Sequence, residues 1–283
     1  MTEQELQEQN DHLMFMQSIQ EDCFIDINKK IEYPPVAISY GTQIVQTRNG
    51  AMEFPVPIAT YGNFSFIQAP PKSMKTFFVS LLSSVFVNSE CEFTGNLKSF
   101  RDNKHLIHFD TEQGDWHSQG VFNRVKRMNE GLNLDFYHTF ALRKVGYKSR
   151  IQFIEYYLQS LKDEGKEVGL VIIDGVADLV SDVNNLEESN DIVQKIMTLT
   201  TIYNCHIVTV IHSNWGSDKP TGHLGSLLEK KTETQIKLEF DTITRSVVVR
   251  CMRSRNSAFK DFGFKLSNYG LPKVIDAERD VPY

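Results

Sequence analysis

Phe64-Ser65-Phe66-Ile67-Gln68-Ala69-Pro70-Pro71-Lys72-Ser73-Met74-Lys75-Thr76 decides how the rest of the chain is read. Its first five residues form an apolar-rich run that reads as a strand, and Pro70 and Pro71 end it. From Lys75 to Val87 the spacing changes. Phe78, Leu81, Leu82 and Val85 recur at the interval that puts them on one face of a helix. The stretch is therefore strand, short loop, helix.

Set against the phosphate-loop pattern Gly-x-x-x-x-Gly-Lys-Ser/Thr, the loop Ala69-Pro70-Pro71-Lys72-Ser73-Met74-Lys75-Thr76 keeps the Lys-Thr pair and its context. Both glycines are replaced, by Ala69 and Met74. The chemistry needs backbone N–H groups at a helix N-terminus around a phosphate, with Lys75 bridging phosphates and Thr76 on Mg²⁺. Ala69 is a mild change. Met74 is the demanding one, because its side chain has to point away from a crowded phosphate.

Working outward, three more apolar runs end in polar groups. Val168–Asp174 is a near-continuous apolar strand closing on Asp174, the form of a strand whose carboxylate serves Mg²⁺. His105–Asp110 runs into Thr111-Glu112-Gln113, and Glu112 is placed to orient or deprotonate a water. His206–Ile211 runs into His212-Ser213-Asn214. In an open α/β sheet the carboxyl ends of strands line the ligand crevice. Leu134–Leu142 reads as a further strand, and Arg150–Lys162 and Glu187–Thr201 as helices. His105 and His108, three apart in a strand, fall on opposite faces. Thr234–Phe240, Ser246–Cys251 and Phe262–Leu266 read as an antiparallel β tail. The prolines of residues 33–58 indicate extended edge segments or loops, not central strands. Residues 1–20 read as a peripheral helix or a disordered tail. The expected fold is α/β, a mostly parallel central sheet flanked by helices with a C-terminal antiparallel extension.

Composition narrows the function classes. With 30 Lys and Arg against 36 Asp and Glu, the net charge is −6. Residues 1–32 hold eight of the acids and only Lys29 and Lys30 among the bases, so the remainder is formally neutral. At 41% apolar and 23% charged, the chain is neither a basic nucleic-acid coat nor an acidic disordered chain. Four scattered cysteines make no disulfide framework or zinc spacing. They suit a reducing cytosol, and Cys205 and Cys251 read as buried hydrophobes. The acidic start is unlike a signal peptide, and no apolar run is long enough to span a membrane. A cytoplasmic location without a membrane partner is expected.

Over residues 36–275 the chain resembles a RecA-like P-loop ATPase, an AAA-family ATPase of the plasmid-replication and mobile-element type related to DnaB-type replicative helicases. The resemblance rests on Thr60–Thr76, Phe109-Asp110-Thr111-Glu112, Ile173-Asp174-Gly175, Ile211-His212-Ser213-Asn214 and Arg253-Ser254-Arg255-Asn256, in that family's order. With the charge count, it divides the chain into an acidic leader over 1–32 and a RecA-like ATPase domain over 33–283. It implies ATP and Mg²⁺ as cofactors, with phosphates on residues 69–76, Lys72 as an additional nearby cation, and Mg²⁺ on Thr76 and Asp174. Glu112 would handle the attacking water and His212 would sense the γ-phosphate. Arg253 and Arg255 would act on a neighbouring subunit's ATP, which requires a head-to-tail homo-oligomeric ring or filament. Gly222-His223-Leu224-Gly225 resembles a motif lying where such proteins have a DNA-facing loop.

DNA is the expected polymer partner. Trp215–Lys231 offers Lys219, Lys230, Lys231 and a stacking ring. Arg124, Lys126, Arg127, Arg143, Lys144, Lys148 and Arg150 offer a second basic surface, whereas the acidic loop Ser181–Glu188 offers none. The implied function is ATP binding and hydrolysis in replication or mobilisation of a genetic element. The alternative is a degenerate scaffold or regulator that binds nucleotide weakly or not at all. A small-molecule kinase fits poorly with the β tail and the lack of a lid segment.

Overall fold

Val168–Asp174 is buried along its whole length, as a strand covered on both faces must be. It lies inside a nine-stranded sheet. The computed structural model describes residues 2–48, 50–214, 217 and 219–275. The chain forms two compact units, Met1–Tyr33 and Pro34–Tyr283. The first is built on helix α1 (Glu3–Cys23), started by a capping box in which Thr2 and Glu5 satisfy each other's backbone N–H groups. Leu13, Met14, Phe15 and Ile27 are all exposed there.

In the second unit, β1 (Val36–Thr47) and β2 (Gly50–Thr60) form an antiparallel hairpin extended by β4 (Leu97–Ser99). Pro55 and Pro57 lie on β2, an edge strand, where a missing N–H costs no ladder bond. The main sheet contains β3 (Phe64–Ala69), β5 (His105–Asp110), β6 (Tyr137–Ala141), β7 (Val168–Asp174) and β8 (His206–His212). It continues through β9 (Thr234–Asp241), β10 (Ser246–Ser254), β11 (Phe262–Leu266) and β12 (Pro272–Ile275). The order is β12-β11-β10-β9-β3-β8-β7-β5-β6, parallel from β9 to β6 and antiparallel from β9 to β12. This is the mixed α/β architecture of a RecA-like P-loop fold, with the antiparallel extension expected of the tail.

Period-two alternation sends each strand's side chains to two cores. Ile67, Leu106, Leu170, Ile172, Val208 and Val210 meet α2 (Lys75–Val87) and α3 (Asp115–Met128). Phe66, Ile107, Phe109, Val171, Ile173 and Ile207 meet α4 (Tyr147–Asp163), α5 (Leu186–Tyr203) and α6 (Gly222–Lys231). Stacking of Tyr40 on Phe262, with centroids 4.0 Å apart, joins the small sheet to the tail. Cys91 and Cys205 are buried, Cys251 is half-buried and all are free thiols. No described helix is long and apolar enough to cross a membrane.

The two strand histidines do face opposite sides. His105 joins His138 at 2.8 Å, and His138 meets the Tyr157 hydroxyl of α4. His108 packs edge-on against Phe122 of α3 and lies 3.1 Å from the Tyr137 hydroxyl. Burial drives the His108 pKa down to about 3. The unfolded chain binds a proton near pH 6.5 that the fold refuses, so this residue costs stability as pH falls below that value. By pH 5 the loss is about 2 kcal/mol. His108→Gln should show a shallower fall in Tm between pH 7 and pH 5 than the native chain in thermal denaturation.

Candidate functional site

The phosphate-type loop follows β3 directly. Lys72 and Met74 both have left-handed backbones, with φ of 63° and 61°. Met74 therefore holds the conformation that glycine adopts most readily, at a cost of about 1–2 kcal/mol for an L-residue. Its side chain is partly buried against the core that α2 covers. Met74, the N-cap residue of α2, offers no side-chain cap to its first N–H groups. Ser73 Oγ donates to the Pro70 carbonyl at 2.7 Å, and Lys75 Nζ donates to the same oxygen at 3.1 Å. Lys72 is exposed.

Sheet register then aligns the other groups. Ala69 pairs with His212, Val210 with Asp174, and Asp174 with Asp110. Asp110, Asp174 and His212 share the parity of Leu106, Ile172 and Val210, so all three project on the face where α2 begins. Asp174 is almost wholly buried, and its Oδ2 has no hydrogen-bond partner among the described residues. Burial, helped by the nearby Asp110 and Glu112 carboxylates, raises its pKa to about 7. Gly175 follows with φ of 107°, and a Cβ there would collide with the Thr111 hydroxyl. That hydroxyl is engaged with the carbonyls of Asp174 and Gly175 and with Asp178.

Asp110 has a different environment. Its Oδ1 accepts from the Glu112 and Gln113 N–H groups, and its Oδ2 from Gln113 Nε2 and Ser118 Oγ, all at 2.9–3.1 Å. It thereby fixes the turn that carries Glu112. Lys75 Nζ also donates to His212 Nδ1 at 3.1 Å, and His212 Nε2 lies 3.6 Å from Glu112 Oε1. With Nδ1 accepting, the ring proton belongs on Nε2, facing the carboxylate. The Nε2–H of His212 facing it, then the charge of Lys75, hold the Glu112 pKa below the usual carboxylate range despite partial burial. Burial pulls the Lys75 pKa down against the opposing pull of Glu112 and Asp174. A cleft lined by Lys75, Glu112, Gly175, Asp178 and His212 lies between them.

The donor set suits a magnesium nucleotide. Mg²⁺ is held typically by one or two protein oxygens plus phosphates and water. The unpartnered oxygen of Asp174, with Thr76 in the first turn of α2, would offer such a seat, and no cluster of three His, Cys, Asp or Glu side chains among the described residues forms an all-protein metal site.

Other expected groups lie elsewhere. Ser65 pairs with Thr234, and Thr234 with Ser254, so Arg253 and Arg255 sit at the end of the sheet opposite the phosphate-type loop. Arg253 pairs with Glu229 at 3.2 Å, and Arg255 donates to the Lys231 carbonyl. Asn256 is bound to the buried Glu233 at 2.6 Å. Gly222–Gly225 does not form a DNA-facing loop. It starts helix α6, and Gly222, with φ of 69°, packs where a Cβ would strike the Val183 carbonyl. Lys230 and Lys231 are in the last turn of that helix, and Trp215 lies outside the described residues.

The proposed second basic surface also divides. Arg124 turns inward to the Thr76 carbonyl and Ser80, 3.9 Å over the Phe77 ring, and Arg150 to the carbonyls of Leu142, Val145 and Asp178. Arg127 reaches the Tyr269 carbonyl. The sequence reading gave no role of their own to Asp110, Thr111 and Asp178. For Asp110 the signal was present, an acid closing an apolar strand two residues before Glu112.

A family model described as an AAA domain matches residues 58–218, from β2 to just beyond β8. It takes in Lys75, Glu112, Asp174 and His212. No curated protein matches the chain.

Because the folded state raises the Asp174 pKa above its unfolded value near 3.8, ionising it destabilises the fold as pH rises from about 4 through about 7. Asp174→Asn should therefore raise Tm by several degrees at pH 8, with the advantage disappearing toward pH 4.

Proposed function

Since the chain belongs to the AAA-domain family of P-loop ATPases, we propose that it binds and hydrolyses ATP and acts on DNA in the replication or mobilisation of a genetic element. The convergence of Lys75, Glu112, Asp174 and His212 at the carboxyl ends of adjacent strands carries this reading. The loop amides of residues 69–76 and the Lys75 ammonium would hold the phosphates. Thr76 and Asp174 would hold Mg²⁺, which neutralises phosphate charge when bound. Glu112, kept ionised by His212 and Lys75, would accept the proton of a water aimed at the terminal phosphate. His212, hydrogen-bonded to Lys75 and facing Glu112, would register whether that phosphate is present.

The RecA-like strand order and the Arg-x-Arg-Asn element support the DNA and assembly parts of the proposal. Since Arg253 and Arg255 are a sheet's length from their own phosphate-type loop, their action on ATP needs a second copy arranged head to tail. Asn256 and Glu233 anchor the turn that holds Arg255, just beyond Arg253 at the end of β10. A second reading, a scaffold without turnover, draws on Met74 in its left-handed backbone.

Nucleotide binding and Mg²⁺-dependent phosphate release separate these readings. The native chain should bind ATP, Lys75→Ala should bind at least about tenfold more weakly, and Glu112→Gln should keep affinity while kcat falls by about 10²–10⁴. Met74→Gly should bind at least as tightly as the native chain. Absence of nucleotide binding by the native chain would refute the ATPase reading. Arg255→Ala and Glu112→Gln chains, each inactive alone, should recover up to about a quarter of the native rate when mixed, because one supplies an intact site and the other the arginine. No recovery on mixing would remove the trans-arginine role.

A further inference from the structure

Helices α3 and α4 both begin at the carboxyl ends of β5 and β6, on the far side of Glu112 from the phosphate-type loop. Trp116, in the first turn of α3, is 79% exposed, with His117 edge-on at 4.8 Å. The loop before α4 runs beside it. Arg143 Nη1 lies within 3.9 Å of a Cβ built at Gly114, and Lys144 Nζ is 3.6 Å from Asp115 Oδ2. Lys148 follows in the first turn of α4, with Nζ 5.8 Å from the Tyr147 ring. Arg143 and Lys148 make no ion pair among the described residues. The acids facing this group are Asp115, shared with Lys144, and Glu188, which lies within electrostatic range of Lys148.

We propose that Trp116, Arg143, Lys144 and Lys148 form a binding surface for single-stranded nucleic acid beside the catalytic carboxylate. An exposed ring among cations offers a base a stacking face and its phosphates a counter-charge. A protein partner would want a contiguous apolar patch, but here the exposed indole follows Gly114 and Asp115, the residues that Arg143 and Lys144 approach. A second copy presenting Arg253 and Arg255 to this face would meet charge of its own sign. Stacking on Trp116 requires an unpaired base, which favours a single strand over a duplex. Trp116 is four residues from Glu112, and the intervening turn is fastened at Asp110. A strand seated there acts on the loop that positions Glu112, so it should change ATP turnover. This deepens the proposed function, because it rests on the chain's action on DNA.

Fluorescence anisotropy with a labelled oligothymidylate, using the full chain over a salt series, tests the surface. Trp116→Ala should weaken binding by about 5- to 150-fold. The Arg143→Ala/Lys148→Ala double variant should reduce the slope of log K against log salt by about one to two. Both should keep native ATP turnover without oligonucleotide and lose its stimulation. Native affinity and salt slope in both variants would overturn the proposal. So would equal competition by a duplex of the same length, or a changed sedimentation coefficient with unchanged oligonucleotide affinity, which would make this face a subunit contact. If the native chain binds and only Trp215→Ala weakens it, this surface is wrong and the DNA reading stands. If the native chain binds ATP but no oligonucleotide, both fail and the ATPase reading survives.

Discussion

The parallel register of β3, β8, β7 and β5 is the constraint on which the site depends. Each strand is buried on both faces, so its alternate residues must satisfy two different cores at once. A slip of one residue would send Asp174 or Asp110 to the face of α4, α5 and α6 and bring an aliphatic residue toward α2. Packing of Ile172 and Val210 on one side, and of Ile173 and Ile207 on the other, thus holds the polar ends in line. The precision of the site comes from apolar burial well below it.

The same alignment crowds three carboxylates, and each has a different environment. Asp110 is saturated by four hydrogen bonds and serves as a turn cap. Glu112 reaches into the cleft and is held ionised by His212. Asp174 is buried with an oxygen lacking a partner, and its raised pKa records the cost of charge there. Lys75 lies within electrostatic range of Asp174 and Glu112, yet burial weakens its own hold on a proton. The site is therefore electrostatically tense, as binding sites are when their charges are arranged for something other than the fold. The left-handed Met74 adds local backbone strain, which the packing of its side chain helps offset.

Much of this was legible beforehand. Apolar runs ending in Asp174, in Asp110-Thr111-Glu112 and in His212 marked both the strands and the side of the sheet on which a ligand crevice lies. The loop Ala69–Thr76 was identifiable from its strand and helix neighbours despite two lost glycines. Short strands were harder. Leu97–Ser99 and Pro272–Ile275 are three and four residues long and depend on the edges of β1 and β11 for their existence. Charge was harder still, because Arg124 and Arg150 look like surface cations in one dimension but bind backbone carbonyls within the fold. Gly222 read as part of a motif lying where related proteins have a loop, yet it starts a helix pressed against Val183.

By itself, the sequence determined the α/β class, the alternation of strands and helices, the β tail and the residues that end the strands. These follow from local periodicity and from the chemistry of single side chains. Only the tertiary structure decided the strand order, the lateral alignment of His212, Asp174 and Asp110, and the linkage of Lys75 to Glu112 through His212. It also separated Arg253 and Arg255 from their own phosphate-type loop and divided the inward-facing Arg124 and Arg150 from Arg143, which lies against Gly114. Those outcomes arise from pairings between segments far apart in the chain, where the energy depends on which distant surface each face meets.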